Sequence, residues 1–252
     1  MSFSLIPIRG LPLIEKGDNL GELLIERLSD CDVQLQDLDV VVVAQKIVSK
    51  AEGRQVQLDS VEPSDEAIRL ADETEKDPRL VELILRESTE VVRTKPGVLI
   101  SRHRLGHVGA HAGIDQSNID HGSGDSCLLL PVDPDASARR LQETLSRTTG
   151  KNIGVIISDS ANRPWRLGTV GIAIGAANVC VLDDRRGGQD LFERELKVTL
   201  VNVADSIATA ATLVMGETTE RVPAVVVRGV AAPPGIEDAS AINRPIEEDL
   251  FR

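Results

Sequence analysis

VIISDSANRPWRLGTVGIAIG, residues 155–175, is the stretch from which the fold is read. Its opening run, Val155 to Ile157, is apolar and β-branched, the pattern of a short strand buried on both faces. The run stops at Ser158-Asp159-Ser160, where the sequence predicts a polar turn. Arg163, Arg166 and the only tryptophan, Trp165, follow, and then a glycine-punctuated apolar run, 168–175. A buried strand that ends on an acid and a hydroxyl can hold a metal or a phosphate, with the loop supplying further donors. The same residues also suit an Asx-turn that merely ends a strand. Both readings stand at this point.

Outward from that strand, Leu5 to Ile8, Val40 to Val43, Gly97 to Ser101, Cys127 to Leu130, Val179 to Leu182 and Ala224 to Val227 read as further strands. The all-valine run at 40–43 carries no polar alternation and implies burial on both faces. Helical periodicity places Leu20, Leu23, Leu24 and Leu28 on one face, with Asp18 or Asn19 as the cap. Pro63-Ser64 opens a helix to about Thr74, Asp77-Pro78 a second to about Val92, and Pro134 a third that Gly150 stops. Glu193 to Gly216 carries the longest helical pattern, with Asp205 beside its apolar face. Strands and helices do not alternate strictly, so the expectation is a mixed-sheet, two-lobed α+β unit over residues 1–230. The acidic, proline-rich tail, 231–252, is expected to be extended.

The chain has 252 residues, enough for one large domain or two lobes, and 41 % hydrophobic and 27 % charged residues, an ordinary globular balance. No apolar run reaches the ~20 residues needed to span a bilayer, and the N-terminus lacks the signature of a secretory signal. Three cysteines, Cys31, Cys127 and Cys180, are far apart and without CxxC spacing, which fits a reducing cytoplasm. A net charge of −12 and 2 % aromatic residues argue against nucleic-acid binding. An anionic ligand would need divalent cations or a local basic pocket.

Gln45, Lys46, Ser49 and Lys50 follow the buried strand at 40–43. Two lysines and a serine there suit phosphate oxygens, while lysines that snorkel into water are the bland alternative. No Walker A pattern occurs. All four histidines, His103, His107, His111 and His121, lie within one stretch, but Gly106, Gly109 and Gly113 oppose the helix that would align them on a metal. The stronger candidate is the glycine-led turn at 112–118, which presents Asp115. It resembles the turn at Asp159, and two such turns can bring Asp115 and Asp159 together around a hard cation.

GLPLI at 10–14, VSKAEGR at 48–54, AGIDQSN at 112–118, the stretch 155–175, LVMGE at 213–217 and VPAVVVRG at 222–229 together resemble the coenzyme F420:L-glutamate ligase (F420-0:gamma-glutamyl ligase) family. Six motifs in order over residues 5–230 are far more specific than any one. The resemblance implies a GTP-dependent ligase that adds L-glutamate to the deazaflavin coenzyme F420-0 through an acyl phosphate, and then extends through the gamma-carboxyl. It implies two divalent cations, Mg2+ or Mn2+, together with K+, and an intertwined homodimer. Carried over, nucleotide contacts fall at Leu11, Pro12, Leu13 and Ile14, at Gln45, Lys46 and Lys50, at Asn118, and at Met215, Gly216, Glu217, Thr218, Thr219, Glu220, Arg221 and Val222. Metal ligands fall at Asp115 and Asp159 for one ion, and at Ser160 and Glu217 for the other. Gln45-Lys46 departs from relatives with small hydroxyl residues there, and Ser160 stands in place of a threonine. With the chain ending at Arg252, no fused nitroreductase-like domain is expected. The resemblance names no general base. Trp165 is the candidate to stack on the deazaflavin, and Arg163 and Arg166 are candidates for substrate phosphate.

Two other classes compete. A metal-dependent phosphohydrolase would use the same acids and lysines with water in place of glutamate. A non-catalytic F420-binding module would have no need of Asp115, Asp159 and Glu217 together.

Overall fold

Residues 40–43, 155–157 and 224–227 form the middle of one sheet in the computed structural model, which describes residues 2–122, 124–162, 164–230 and 234–249. In chain order the strands are β1 (Ser4–Pro7), β2 (Val40–Ala44), β3 (Gln55–Gln57), β4 (Ser88–Lys95), β5 (Val98–His103), β6 (Val108–Ala110) and β7 (Ser126–Leu128). They continue with β8 (Gly154–Asn162), β9 (Thr169–Ala177), β10 (Leu182–Asp184), β11 (Leu200–Asn202) and β12 (Ala224–Arg228). The helices are α1 (Leu20–Asp30), α2 (Gln45–Ala51), α3 (Asp65–Thr74), α4 (Pro78–Glu87), α5 (Pro134–Thr149) and α6 (Val203–Met215).

The main sheet runs β1-β12-β2-β8-β9. β2 and β8 are parallel, and the other neighbours are antiparallel. Its side chains divide between two apolar clusters. Val41, Val43, Val155, Ile157 and Val226 face α1 and α5, and Val40, Val42, Ile156, Val225 and Val227 face α6. Helices on both faces explain why these strands show no polar alternation. A third cluster joins Leu70, Leu80, Ile84, Leu99, Cys127 and Leu129, where α3 and α4 cover the smaller sheets β4-β5-β6 and β3-β7. The architecture is the mixed α+β arrangement expected.

Helix starts follow their caps. Asn19 accepts from Glu22 N–H at 3.4 Å, Ser64 from Ala67 at 3.3 Å, Asp77 from Arg79 at 2.8 Å and Asp133 from Ala136 at 2.9 Å. Gly150, left-handed at φ 67°, stops α5.

Four sequence expectations require correction. The second helix ends at Glu87 instead of near Val92, because 88–95 pairs with β5 as a bulged strand rich in β-branched residues. The long helix begins at Val203, not Glu193, since Asn202 caps it and 200–202 pair with 182–184. Val179 and Val181 are buried, as a core strand would be, yet the strand begins only at Leu182. Ser158-Asp159-Ser160 is no turn: β8 continues through it to Asn162, paired to β9 across a bulge at Ile157/Ser158. In the tail, Ala239 is buried, and its N–H donates to Asp135 on α5 at 2.9 Å. No helix among the described residues is long and apolar enough to cross a membrane.

Candidate active site

The site gathers where β2 and β8, lying parallel, leave the core. Ala44 pairs with Ser158, so the start of α2 and the residue Asp159 lie side by side at the same sheet end. Asp115 arrives on the segment that joins β6 to β7. Its backbone is pinned to Leu128 by two hydrogen bonds, 3.0 Å from its N–H and 2.8 Å to its carbonyl. Just before it, His111, Ala112 and Gly113 are all left-handed, with φ of 54°, 52° and 65°. For the first two this is a strained turn, and it sets the direction in which the chain enters the site.

Gln45 at the start of α2 is buried and donates from Nε2 to Asp115 Oδ2 at 2.7 Å. Ser49, one helical turn on, donates to Gln45 Oε1 at 3.0 Å, which fixes the amide's orientation. Lys46 Nζ lies 3.3 Å from Asp115 Oδ1 and donates to Ser117 Oγ at 3.1 Å. Lys50 donates to the Asn118 carbonyl at 2.8 Å, and burial, followed by repulsion from Lys46, lowers its pKa. Asn118 in turn donates to the Thr218 carbonyl at 3.1 Å, tying the Asp115 loop to the turn after α6. On that turn Glu217 accepts the Ser160 hydroxyl at 2.7 and 2.9 Å.

The acids are electrostatically coupled. Burial and then the charge of Asp115 push the Asp159 carboxyl up to about 7. Burial also raises Asp115; Lys46 and Gln45 oppose that shift, and Glu217 adds to it. A row of carboxylates that discourage one another's ionisation is a setting a cation relieves. Among the described residues no three His, Cys, Asp or Glu close a metal shell by themselves. An open acid row with a hydroxyl fits Mg2+ or Mn2+ better than a caged ion, because such ions keep water and phosphate among their ligands.

The nucleotide segments expected from sequence also meet. An open cavity of about 420 Å³ is lined by Arg9, Gly10, Leu11, Pro12, Glu220 and Arg221. Leu11, Ile14, Met215 and Val222 turn their side chains into the core, whereas Leu13 is 76 % exposed. Gly216 is left-handed at φ 71°, and a Cβ there would meet Glu220. Thr218 N–H donates to Glu220 at 2.8 Å, so the turn 216–220 is held by its own side chain. Thr219 is exposed on it.

Other candidates fall elsewhere. Arg163 lies outside the described residues. Trp165 and Arg166 sit exposed in the β8–β9 connection. His103 and His107 stack with ring centroids 5.1 Å apart. The orienting role of Gln45 and Ser49 had a sequence signal, their i, i+4 spacing, but it shows only once 45–51 is read as a helix.

Carboxylates and lysines side by side suit the meeting of anions with cations, and the comparisons give the class. The F420-0:Gamma-glutamyl ligase family matches residues 9–229. A coenzyme F420:L-glutamate ligase of Methanothermobacter thermautotrophicus is 44 % identical over 257 residues, covering 100 % of both chains. Relatives of the same name from Methanopyrus kandleri and Archaeoglobus fulgidus are 46 % and 43 % identical, each covering 97 % or more of both chains. The chain belongs to the F420-0:gamma-glutamyl ligase family, and it is an enzyme of the ligase class.

Proposed function

We propose that this protein is a GTP-dependent ligase that joins L-glutamate to the deazaflavin coenzyme F420-0, and in later cycles to the gamma-carboxyl of the glutamate already added. The names of its relatives supply the substrate pair. The observation that carries the chemistry is the coupled row Asp115, Asp159, Ser160 and Glu217 flanked by Lys46 and Lys50.

The chemical difficulty is one of charge. A carboxylate has no leaving group until it is phosphorylated, and the γ-phosphoryl of GTP must approach that second anion in line. The chain, at −12, repels both substrates, so cations must be recruited locally. Asp115 and Asp159 would hold one divalent ion, Ser160 and Glu217 the other, with K+ as a further cofactor. Bound Mg2+ or Mn2+ would neutralise phosphate charge and orient the oxygens. Lys46 and Lys50 add positive charge beside the same phosphates. Gln45 fixes the Asp115 carboxylate, and Asn118 holds the loop and the 216–222 turn together around the nucleotide. An acyl phosphate forms on the coenzyme carboxylate, and the neutral amine of glutamate then displaces phosphate with an amide as product. The three free cysteines are consistent with a reducing, cytoplasmic setting. The assembly inferred is a homodimer.

Mass spectrometry of F420-0 incubated with the protein, GTP, Mn2+ and glutamate should show successive glutamyl mass increments. GTP turnover that requires neither glutamate nor F420-0 would favour the phosphohydrolase and sink the ligase.

A further inference from the structure

Arg9 is the one residue lining the 420 Å³ cavity that the motifs leave without a role. It is exposed, and among the described residues neither Arg9 nor Arg221 makes a side-chain hydrogen bond or ion pair. Many other arginines are spoken for: Arg54 by Glu87, Arg79 by Asp77, Arg186 by Asp184, Arg228 by Asp39. Gly10, left-handed at φ 77°, bends the chain just after Arg9. Two guanidinium groups without a direct ion pair thus line one cavity together with the Glu220 carboxylate, beside an apolar flank at Pro12. The volume falls within the range of small-molecule sites.

We infer that Arg9, together with Arg221, reads the base of the nucleotide and selects guanine over adenine. This rests on the nucleotide site of the ligase reading. The phosphate end of that site is marked by Lys46, Lys50 and Asp115, and the Asn118 bond anchors Thr218 to it. Arg221 lies three residues further along the chain, a reach of at most ~10 Å. The Arg221 rim of the cavity therefore stays within that reach of Thr218, close enough for one nucleotide to span from the acids to the cavity. Guanine presents O6 and N7 as adjacent acceptors, which match the guanidinium fork. Adenine puts an amino donor in place of O6, so the fork meets a donor and one bond is left unmade. Glu220 on the same rim accepts from the Thr218 N–H and hydroxyl of its own turn, and the remaining lone pairs of its carboxylate would accept from the guanine N1–H and N2 amino group.

The test is calorimetric titration of GDP and of ADP, each with Mn2+, into the wild-type protein and the variants Arg9→Ala and Arg9→Lys. Circular dichroism would confirm that both variants fold. Arg9→Ala should weaken GDP about tenfold or more, the scale of one bidentate arginine–guanine pair, and leave ADP unchanged. Arg9→Lys keeps the charge without the fork and should behave like Arg9→Ala. An equal loss for GDP and ADP would make Arg9 a phosphate contact and overturn base reading, as would unchanged GDP binding. Glutamate addition by the wild-type protein, followed in parallel by mass spectrometry, separates the two claims. Ligation with unaltered GDP preference in Arg9→Ala overturns only the role of Arg9. Absent ligation overturns the ligase, while a collapsed GDP preference still supports the base-reading arginine.

Discussion

Asp159 lies just beyond the bulge where β8 passes from the core to the site, and its carboxyl is pushed up to about 7 by burial and by Asp115. The native state without metal therefore retains a proton that the unfolded chain, at an ordinary carboxylate pKa near ~3.9, has already released. Stability then falls as pH rises from about 4 to about 7, since the native state binds more protons over that window. Asp159→Asn removes this liability. In metal-free protein the variant should flatten that part of the pH–stability curve and melt higher than wild type at pH 8, while losing stabilisation by Mn2+ and ligase activity. Thermal melts across pH with and without Mn2+ check it; a variant that Mn2+ still stabilises as it does wild type removes Asp159 from the metal site. The two acids were legible in the sequence because each follows an apolar run and precedes polar residues. Gln45 was not legible as their organiser, because its partner Asp115 is 70 residues away and only the fold brings them together.

The glycines of β9 show what an element's sequence encodes beyond its periodicity. A Cβ on Gly171 would lie 2.5 Å from the Ala208 carbonyl oxygen of α6, and one on Gly175 would lie 2.3 Å from the Pro134 carbonyl oxygen of α5. The two positions are four apart and would share a face in a regular strand. The bulge opposite Ile157/Ser158 flips the alternation between them, so one glycine admits each helix. Gly175→Ala should cost about 1–3 kcal/mol in urea unfolding, since backbone and not a flexible side chain must yield. Gly109→Ala, where nothing lies within 4 Å, serves as the near-neutral control. The sequence showed β9 as an apolar run with glycines, but no local pattern says which helix each glycine faces. Strands at 40–43 and 224–227 and capped starts at Asn19, Ser64 and Asp77 were legible because burial and capping are local. The stretch 193–202 was misread as helix because only its end, 200–202, pairs with 182–184, and that pairing closes over a long hairpin and leaves no short-range signal.

At the scale of the molecule, two hairpins carry apolar side chains that its own core does not use. Trp165 and Leu167 at the β8–β9 tip are 89 % and 104 % exposed, and Leu191, Phe192 and Val198 between β10 and β11 are 90 %, 79 % and 84 % exposed. Single exposed leucines are ordinary, but five large exposed apolar side chains on two hairpins suit an interaction surface. A second copy of the chain is the partner the family resemblance implies. Two chains of −12 repel one another, so burial of these tips must outweigh that repulsion, and added salt should strengthen the assembly by screening it. Light scattering should therefore return the mass of two chains, with the dimer tighter at 0.5 M than at 0.05 M salt. The double substitution Leu191→Glu, Phe192→Glu adds four charges per dimer to the proposed contact and should yield monomers with an unchanged far-ultraviolet spectrum. A wild-type monomer, or a dimer indifferent to the double substitution, would remove the β10–β11 hairpin from the interface. Several residues assigned to nucleotide and metal are hydrogen-bonded to one another within a single chain, so a monomeric variant should still bind GDP and Mn2+. Loss of binding on dissociation would instead mean that the partner's hairpin completes the cleft.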